Sequence, residues 1–520
     1  MVAQLTFPAE VDASVGGLVN YNPLAAKPLT TTWIYEPLIV RNNISCQETP
    51  WLATKATWEG NNKLTLDIRD GVKWSDGQPF TAKDVAFTFN VGKQYPAADK
   101  AGVWTDTFGS KATSVEAKGN QVVLTFGGPA IGKYQGIIET KILPEHIYGP
   151  AGDPTKFVDK DGIGTGPFKV ESYNGRRLTL ARRDDYWQAD KIKVQKLILE
   201  GNFDASQAAL KLRSGELDAY WGEIPNPQKT FVESDPKNNH FWYAPNGATV
   251  LTGNTTKPPF TDAKFREAIS YAMNKDEMST KATYGIMKPA SQSGLKLPFM
   301  ADLLPSSYAG DNATLLPFDV AKANSLLDAA GYKKGANGKR TNPDGSPLAM
   351  TFTVQAGFID FQALADVVVA GLVASGLDAK VTQIAPEAAD AAKKSGDFQM
   401  LFDFTYGGCD IARGLGAKLS NQNIPTPTDI KANVERWNDP ATQGVVTKLD
   451  QTTDKGEQKV LTGQLVDIMM KQFPVTALIY APSRILYRTD KAIGWPSEQD
   501  PYGNPADDKL LIITHLTPPK

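Results

Sequence analysis

The stretch IRDGVKWSDGQPFTAKDVAFTF, from Ile68 to Phe89, decides the fold. The alternating run KLTLDI that leads into it and the Asp-Gly turn within it predict a strand that ends in a tight turn. A helix is then expected to begin after Thr81, because the Thr81 hydroxyl and the Asp84 carboxylate can form a reciprocal capping box. The helix is predicted to pack on a sheet through its apolar residues Val85, Phe87 and Phe89.

The composition is that of a globular protein with more than one domain. A chain of 520 residues exceeds the size at which a single hydrophobic core stops growing. Its 55 basic and 57 acidic side chains nearly cancel, so nucleic acid and anionic membranes are poor partners. The longest apolar run, around residues 367–377, is too short and too interrupted to cross a bilayer. The first residues lack the features of a secretory signal, which predicts a cytoplasmic or an already processed chain.

Helices and strands alternate along the rest of the chain. FDASQAALKLRSGELDAYW predicts a helix that stops at Gly215 and is followed by a short strand. DAKFREAISYAMNKDEM predicts one helix directly after the breaker at residues 257–260. DVAKANSLLDAAGY and ALADVVVAGLVASGL predict further helices between the strands MTFTVQAG and LDAKVTQI, as in an α/β sheet covered by helices. FPVTALIYA and KLLIITHL predict strands at the end of the chain.

Cofactor and metal chemistry has little support in the sequence. The GIGTG run lacks the Gly-Lys-Ser/Thr signature and the following helix of a phosphate loop. His146, His240 and His515 are scattered, so no metal site is predicted. Cys46 and Cys409 lie too far apart for a CxxC site, and they form either one long-range disulfide or two free thiols. We therefore expect no cofactor.

Several segments together resemble family 5 of the bacterial extracellular solute-binding proteins, the receptors of ABC importers for oligopeptides, dipeptides, nickel and oligosaccharides. The segment from Ile68 to Phe89 carries most of the resemblance. Five further segments follow the order of the family: IYEPL at Ile34, ILPEHIY at Ile142, GTGPFKVESY at Gly164, SGELDAYW at Ser214 and NTTKPPFTDAKFREAISYAMNKDEM at Asn254. The resemblance implies an α/β chain with the type II periplasmic-binding-protein fold, in which two lobes joined by a hinge close on a ligand.

The resemblance also implies how the chain divides. The first lobe is expected to combine residues 1–45, 167–255 and 483–520. An extra small domain on this lobe is expected at residues 46–166, and the second lobe at residues 256–482. The prolines at positions 258, 259 and 482 agree with these boundaries.

Aromatic residues make an oligosaccharide, of a β-linked kind, the preferred ligand. A pyranose offers an apolar face and a rim of hydroxyls, which suits aromatic rings beside Asn, Asp or Glu. Trp221 and Glu223 follow the strand at which related receptors place residues of the cleft. The resemblance also implies that Trp104 lies in the loop by which the small domain reaches over the ligand. Trp104 could equally cover the core of its own domain. The run GWPSEQDPYGNPA, at residues 494–506, resembles the cellobiose and chitooligosaccharide receptors.

A short peptide is the alternative ligand. Its charged termini must be paired when buried. Dipeptide receptors resemble this chain in the loop FDFTYGGCDIARG but have a Trp at the position of Phe404 and the amine-binding Asp at that of Gly407. Asp410 is a possible substitute for that Asp, and Tyr406 and Phe404 are further candidate ligand-binding residues. The peptide interpretation is weakened, not excluded.

No enzymatic activity is predicted. A glycoside hydrolase would need a catalytic carboxylate pair, and nothing in the sequence marks one; GxSxG and HExxH motifs are also absent. The resemblance implies a monomeric receptor that partners the permease subunits of an ABC importer. It also implies a periplasmic or extracellular location, with a lipoprotein anchor as one possibility.

Overall fold

The computed structural model describes residues 1–9, 19–25, 28, 31–201, 204–310, 313–357, 359–405 and 407–520. The chain divides into two compact units. Unit 1 comprises Met1–Ala244 and Ser483–Lys520, and unit 2 comprises Pro245–Pro482. The chain therefore passes twice from one unit to the other, after Ala244 and after Pro482.

The protein is of mixed α/β type, as predicted. The strands are β1 Val2–Pro8, β2 Ile39–Arg41, β3 Glu48–Pro50, β4 Ala53–Glu59, β5 Lys63–Ile68, β6 Ala112–Lys118, β7 Gln121–Phe126, β8 Phe168–Tyr173, β9 Arg177–Arg182, β10 Val194–Glu200, β11 Ala219–Tyr220, β12 Asn239–Gly253, β13 Ala349–Gln355, β14 Asp378–Ile384, β15 Met400–Phe404 and β16 Thr476–Arg488. The helices are α1 Ala82–Gln94, α2 Tyr134–Ile138, α3 Glu145–Tyr148, α4 Ala205–Ser214, α5 Pro227–Thr230, α6 Ala263–Tyr271, α7 Lys275–Thr283, α8 Val320–Ala329, α9 Ile359–Ala374, α10 Pro386–Ser395, α11 Ala417–Leu419, α12 Pro440–Leu449, α13 Lys455–Gln472 and α14 Lys509–His515.

Unit 1 contains two four-stranded sheets, with the strand orders β1-β10-β9-β8 and β4-β5-β7-β6. In the first sheet β1 and β10 run parallel and the other pairs are antiparallel. The second sheet is antiparallel throughout. Alternation along β5 buries Leu64, Leu66 and Ile68 in a hydrophobic cluster with residues of α1. The sequence motif thus builds one sheet and the helix that covers it.

Helix α1 begins as predicted. The backbone N–H of Thr81 donates to Asp84 Oδ2 at 2.8 Å, and the reciprocal capping box is formed. Val85 and Phe89 are buried, but Phe87 is only partly buried. The prediction for Phe87 was wrong because residues two apart point to opposite sides of a helix, whereas Val85 and Phe89 are four apart and share a face.

Unit 2 is built on a sheet in the order β12-β15-β13-β14. Strand β13 runs parallel to both β14 and β15, while β12 and β15 are antiparallel. Helices α9 and α10 both contact β13. The predicted alternation of helices and strands is confirmed for this unit.

Two predicted elements differ from the structure. KLLIITHL forms helix α14 instead of a strand, with all of Leu510–Ile513 buried. A short run that is apolar on every side does not distinguish a buried strand from a buried helix. DAKFREAISYAMNKDEM forms two helices, because α6 ends before Ala272 and the Asn274 side chain caps α7 by accepting from the Glu277 N–H.

Among the residues described here, no helix combines the length and apolarity needed to span a membrane. The assignment of residues 46–166 to an extra small domain, and the lobe boundaries given above, remain predictions.

Candidate ligand-binding surfaces

Trp221 stands where the chain leaves a short strand of unit 1. Strand β11 pairs antiparallel with the end of β16, with Ala219 opposite Tyr487 and Tyr220 opposite Leu486. Gly222 follows, and a Cβ atom there would lie 2.2 Å from the Tyr220 hydroxyl oxygen. A side chain at position 222 would therefore force the Tyr220 ring to move from its place beside the turn.

The Trp221 side chain is half-buried against the core of unit 1. Its ring meets the Phe7 ring edge-on, with 5.1 Å between the centroids. Lys509 Nζ lies 4.7 Å from the indole centroid, a cation–π distance. The indole Nε1 is buried and finds no hydrogen-bond acceptor among the described residues. A buried N–H without an acceptor is rare in folded proteins, which marks this donor as unusual.

Glu223 lies two residues further along and forms an ion pair. Arg484 Nη2 and Glu223 Oε2 are 2.9 Å apart. The Arg484 guanidinium carbon lies 5.7 Å from the centroid of the Tyr243 ring. Arg484 Nε is a second buried donor with no acceptor within the described part of the chain. We call Trp221, Glu223, Tyr243 and Arg484 the Trp221 surface.

The four residues that make up the Trp221 surface carry no net charge among themselves. The charges of Glu223 and Arg484 cancel across their ion pair. Burial raises the pKa of Tyr243 well above its ordinary value, and although Arg484 opposes this rise, the phenol stays protonated at neutral pH. The four residues of the Trp221 surface thus combine aromatic rings with an ion pair whose charges cancel, and the Lys509 ammonium lies beside them against the indole ring.

Trp104, also in unit 1, covers the core of its own sheet. Its Nε1 donates to the carbonyl oxygen of Phe89 at 2.7 Å, and its ring packs on the cluster formed by α1 and the antiparallel sheet. Lys93 Nζ lies 5.1 Å from the ring centroid. Trp104 therefore packs on the core of its own domain, which was one of the two roles that the sequence allowed. A contact between its ring and a ligand remains a prediction.

Phe404 ends strand β15 of unit 2 and is 45% exposed. Its ring lies 5.9 Å from that of Phe361, which in turn lies 5.5 Å from Phe402. Together with the end of β13 and with α10 these rings line a hollow of about 60 Å³. The carboxyl ends of parallel strands are the usual ligand edge of such sheets, so the position of Phe404 suits a binding residue.

Gly407 has no room for a side chain. A Cβ atom there would lie 2.0 Å from Asn246 Oδ1 and 2.7 Å from the backbone carbonyl carbon of Asn246. An aspartate at this position would require the β12 backbone to move. Close packing therefore leaves no space at this position for the carboxylate that the resemblance to dipeptide receptors would predict there.

Asp410 begins the helical turn that follows. Its Oδ1 accepts from the N–H groups of Ala412 at 2.9 Å and Arg413 at 3.2 Å. Its charge also helps to raise the pKa of Asp450, at the end of α12. Tyr406, the remaining candidate from the sequence, lies outside the described residues.

Comparison with known proteins identifies the family. Residues 47–409 match the bacterial extracellular solute-binding proteins, family 5 middle region. The chain belongs to this family. It is accordingly a substrate-binding protein of the ABC-importer class, and the resemblance that the sequence motifs carried is confirmed.

Relatives of this receptor bear names for different ligands. The nickel-binding periplasmic protein of Escherichia coli is 25% identical over 82% of this chain and 80% of its own length. Di/tripeptide-binding protein 1 of Pseudomonas aeruginosa is 26% identical over 63% of this chain, and the match spans 58% of that relative, less than two thirds of it.

Solved structures confirm the fold. The periplasmic oligopeptide-binding protein of Thermotoga maritima covers 99% of both chains at 21% identity, with a TM-score of 0.85. A structure of the same Thermotoga protein with bound mannohexaose matches at 22% identity over 99% of both chains, with a TM-score of 0.76. At these identities the likeness shows that the receptor has the fold of family 5 binding proteins, and it leaves the ligand open.

Asp450→Asn is expected to stabilise this receptor at neutral pH and to have little effect near about pH 4. Burial, and then the charge of Asp410, raise the pKa of Asp450 to about 6, with Arg413 opposing. Because the folded-state pKa lies above the unfolded value, the stability linked to the bound proton is present below the unfolded pKa and is lost as the pH rises through about 6. The amide cannot ionise, so a gain of about 1 to 2 kcal/mol is expected at about pH 8.

Urea unfolding at the two pH values measures this difference. Asp397→Asn is the matched control, because the Asp397 carboxylate is exposed at the surface of the same unit. An equal effect of Asp450→Asn at both pH values would show that folding does not raise the pKa of Asp450.

The structure brings some of the predicted residues together within each unit. Trp221 and Glu223 share one surface of unit 1, while Phe404 and Asp410 flank one loop of unit 2. Sequence reasoning missed Arg484 and Tyr243. Arg484 could have been noticed as a charged residue within the mostly buried strand β16, where a partly buried charge needs a partner.

Proposed function

We propose that this receptor captures a neutral oligosaccharide, of a β-linked kind, through aromatic rings and hydroxyl-binding groups. The Trp221 surface carries the proposal. Two buried donors there, Trp221 Nε1 and Arg484 Nε, have no acceptor among the described residues, and the adjacent carboxylate is neutralised by an ion pair. Sugar hydroxyls are acceptors and donors without charge, and they suit such a surface.

The other residues predicted from the sequence have roles in this proposal. Phe404, Trp104 and Tyr406 would add aromatic contacts, and Glu223 and Asp410 would accept from hydroxyls. We propose that the lobes close on the sugar, that the receptor is a monomer without catalytic turnover, and that it delivers its ligand to the permease subunits of an ABC importer. A periplasmic or extracellular, membrane-anchored location is part of the same proposal.

A short peptide is the second candidate ligand. The observation in its favour is that Asp410 and Asp450 lie close enough for the charge of Asp410 to raise the pKa of Asp450. Two neighbouring carboxylates can pair the ammonium group of a peptide N-terminus. Against it stand the absence of space for an acidic side chain at Gly407 and the pairing of Arg484 with Glu223.

A thermal-shift panel tests the proposal. Cello-, xylo-, chito- and manno-oligosaccharides are compared with di- to pentapeptides, each in excess over the protein. A ligand at 100 times its Kd stabilises the folded protein by about 2.7 kcal/mol, which raises the melting temperature measurably. We expect at least one sugar series to raise it and the peptides not to do so. A flat response to every sugar, with a shift by peptides, would reverse the assignment.

A further inference from the structure

A lysine ammonium occupies a cradle of backbone carbonyls in unit 1. Lys133 lies in the short turn before α2, and its side chain is fully buried. Its Nζ donates to the carbonyl oxygens of Gly102 at 2.5 Å, Thr105 at 2.8 Å and Thr107 at 2.7 Å. An ammonium has three N–H donors, and here each one has a carbonyl acceptor from the same loop.

The same loop is held on its amide side by a carboxylate. Asp99 Oδ1 accepts from the N–H of Val103 and Asp99 Oδ2 from the N–H of Trp104, both at 2.7 Å. Three carbonyl groups of residues 102–107 thus face a cation, and two N–H groups of the same segment face an anion. These two charges fix the position of the loop that carries Trp104.

Burying an ammonium is costly unless its hydrogen bonds are complete, and an apolar side chain would fill the same volume more simply. The ammonium holds three carbonyl oxygens close to one point, although their partial negative charges repel one another. Carbonyl oxygens arranged around a point are also the ligands by which proteins hold free monovalent cations.

We propose that Lys133 acts as an internal monovalent cation that positions the Trp104 loop for contact with the ligand. When the side chain is shortened, the three carbonyls form a site for a free cation such as K⁺ or ammonium. The part that concerns ligand contact rests on the proposed function, since it requires Trp104 to touch the sugar. The part that concerns the cation site does not.

The test compares two variants that both lack the Lys133 ammonium. One leaves space for a free cation between the three carbonyl oxygens, and the other does not. Lys133→Ala empties the cradle, whereas Lys133→Met fills it with a chain of similar length that has no donors. Affinity for the oligosaccharide found in the panel is measured at constant ionic strength in choline, potassium and ammonium chloride. Hydrogen exchange of the amides of residues 102–107 is measured in the same buffers.

In choline, both variants are expected to bind the sugar about tenfold more weakly than the wild type. Potassium or ammonium is expected to restore affinity and amide protection in Lys133→Ala but not in Lys133→Met. Lys118→Ala is the matched control, because Lys118 is an exposed lysine on β6 of the same sheet, paired with Glu116. It should respond to no cation.

The outcomes separate the two parts of the proposal. Amide protection in Lys133→Ala that no monovalent cation restores would overturn the cation site. Protection that is restored while affinity never falls would uphold the cation site and contradict ligand contact by Trp104. If Lys133→Ala does not fold in choline, its melting temperature becomes the readout. Folding that returns with potassium or ammonium supports the proposal, and folding that no cation restores contradicts it.

Discussion

Replacing Trp221 with alanine is expected to weaken oligosaccharide binding by about 1 to 3 kcal/mol, which is about five- to 150-fold in Kd. The substitution removes an aromatic ring anchored edge-on against Phe7 and a buried indole N–H that has no acceptor among the described residues. The proposed stacking of the sugar on the indole ring and the proposed hydrogen bond from Nε1 to a sugar hydroxyl would both be lost. Isothermal titration calorimetry with the sugar identified by the panel measures the change.

Two further variants separate these contributions. Trp221→Phe keeps an aromatic ring but removes the donor, so it is expected to lose less affinity than Trp221→Ala. Trp58→Ala is the matched control, since Trp58 is a partly buried tryptophan that packs near Phe126 and Tyr134 in the antiparallel sheet. Equal affinity of folded Trp221→Ala and wild type would show that Trp221 serves packing alone.

Replacing Lys418 with methionine is expected to destabilise the protein by about 3 to 5 kcal/mol. Lys418 is buried in unit 2, with its Nζ 2.5 Å from Asp403 Oδ2 and 3.0 Å from Glu435 Oε2. Burial alone would lower the pKa of Lys418, but the charges of Asp403 and Glu435 raise it overall, so the ammonium stays protonated. Methionine fills much of the volume and leaves Glu435 buried without its cation, while Asp403 keeps only its pair with Lys393, whose Nζ lies 3.1 Å from Asp403 Oδ1.

Denaturant unfolding measures this loss. Lys281→Met is the control, because Lys281 is an exposed lysine of the same unit that forms a surface pair with Glu277. Adding Glu435→Gln to Lys418→Met is expected to recover part of the stability, since burial already raises the pKa of Glu435 to about 7 and its ionised form needs the lysine. If Lys418→Met unfolds like the wild type, the network contributes no net stability.

Local signals in the sequence predicted the start or the end of a helix correctly where a capping residue determines the backbone conformation. Gly215 ends α4 in the left-handed conformation, with a φ of 75°, and Thr81 with Asp84 starts α1. The signals failed where the pattern was ambiguous. The apolar run of α14 has no period, and the break at Asn274 depends on a cap that the apolar pattern on both sides conceals.

The candidate site was predictable only in part. Trp221 and Glu223 stood out because they directly follow a recognisable strand. Their partner Arg484 is distant in the sequence and meets Glu223 only because β11 pairs with β16. The steric reason for Gly407 was likewise hidden, since it depends on how closely β12 passes the loop. Pairings of this kind are set by tertiary structure and leave no local signal.

The central claim is that aromatic rings, not a single charged side chain, hold the ligand. It is tested most directly by comparing the affinities of Asp410→Asn, Trp221→Ala and Trp104→Ala for the ligand that the panel identifies. The account predicts that Asp410→Asn binds within about twofold of the wild type while the tryptophan variants lose at least about fivefold. Loss of binding in Asp410→Asn, with both tryptophan variants unchanged, would contradict it and identify a peptide amine as the group that is recognised.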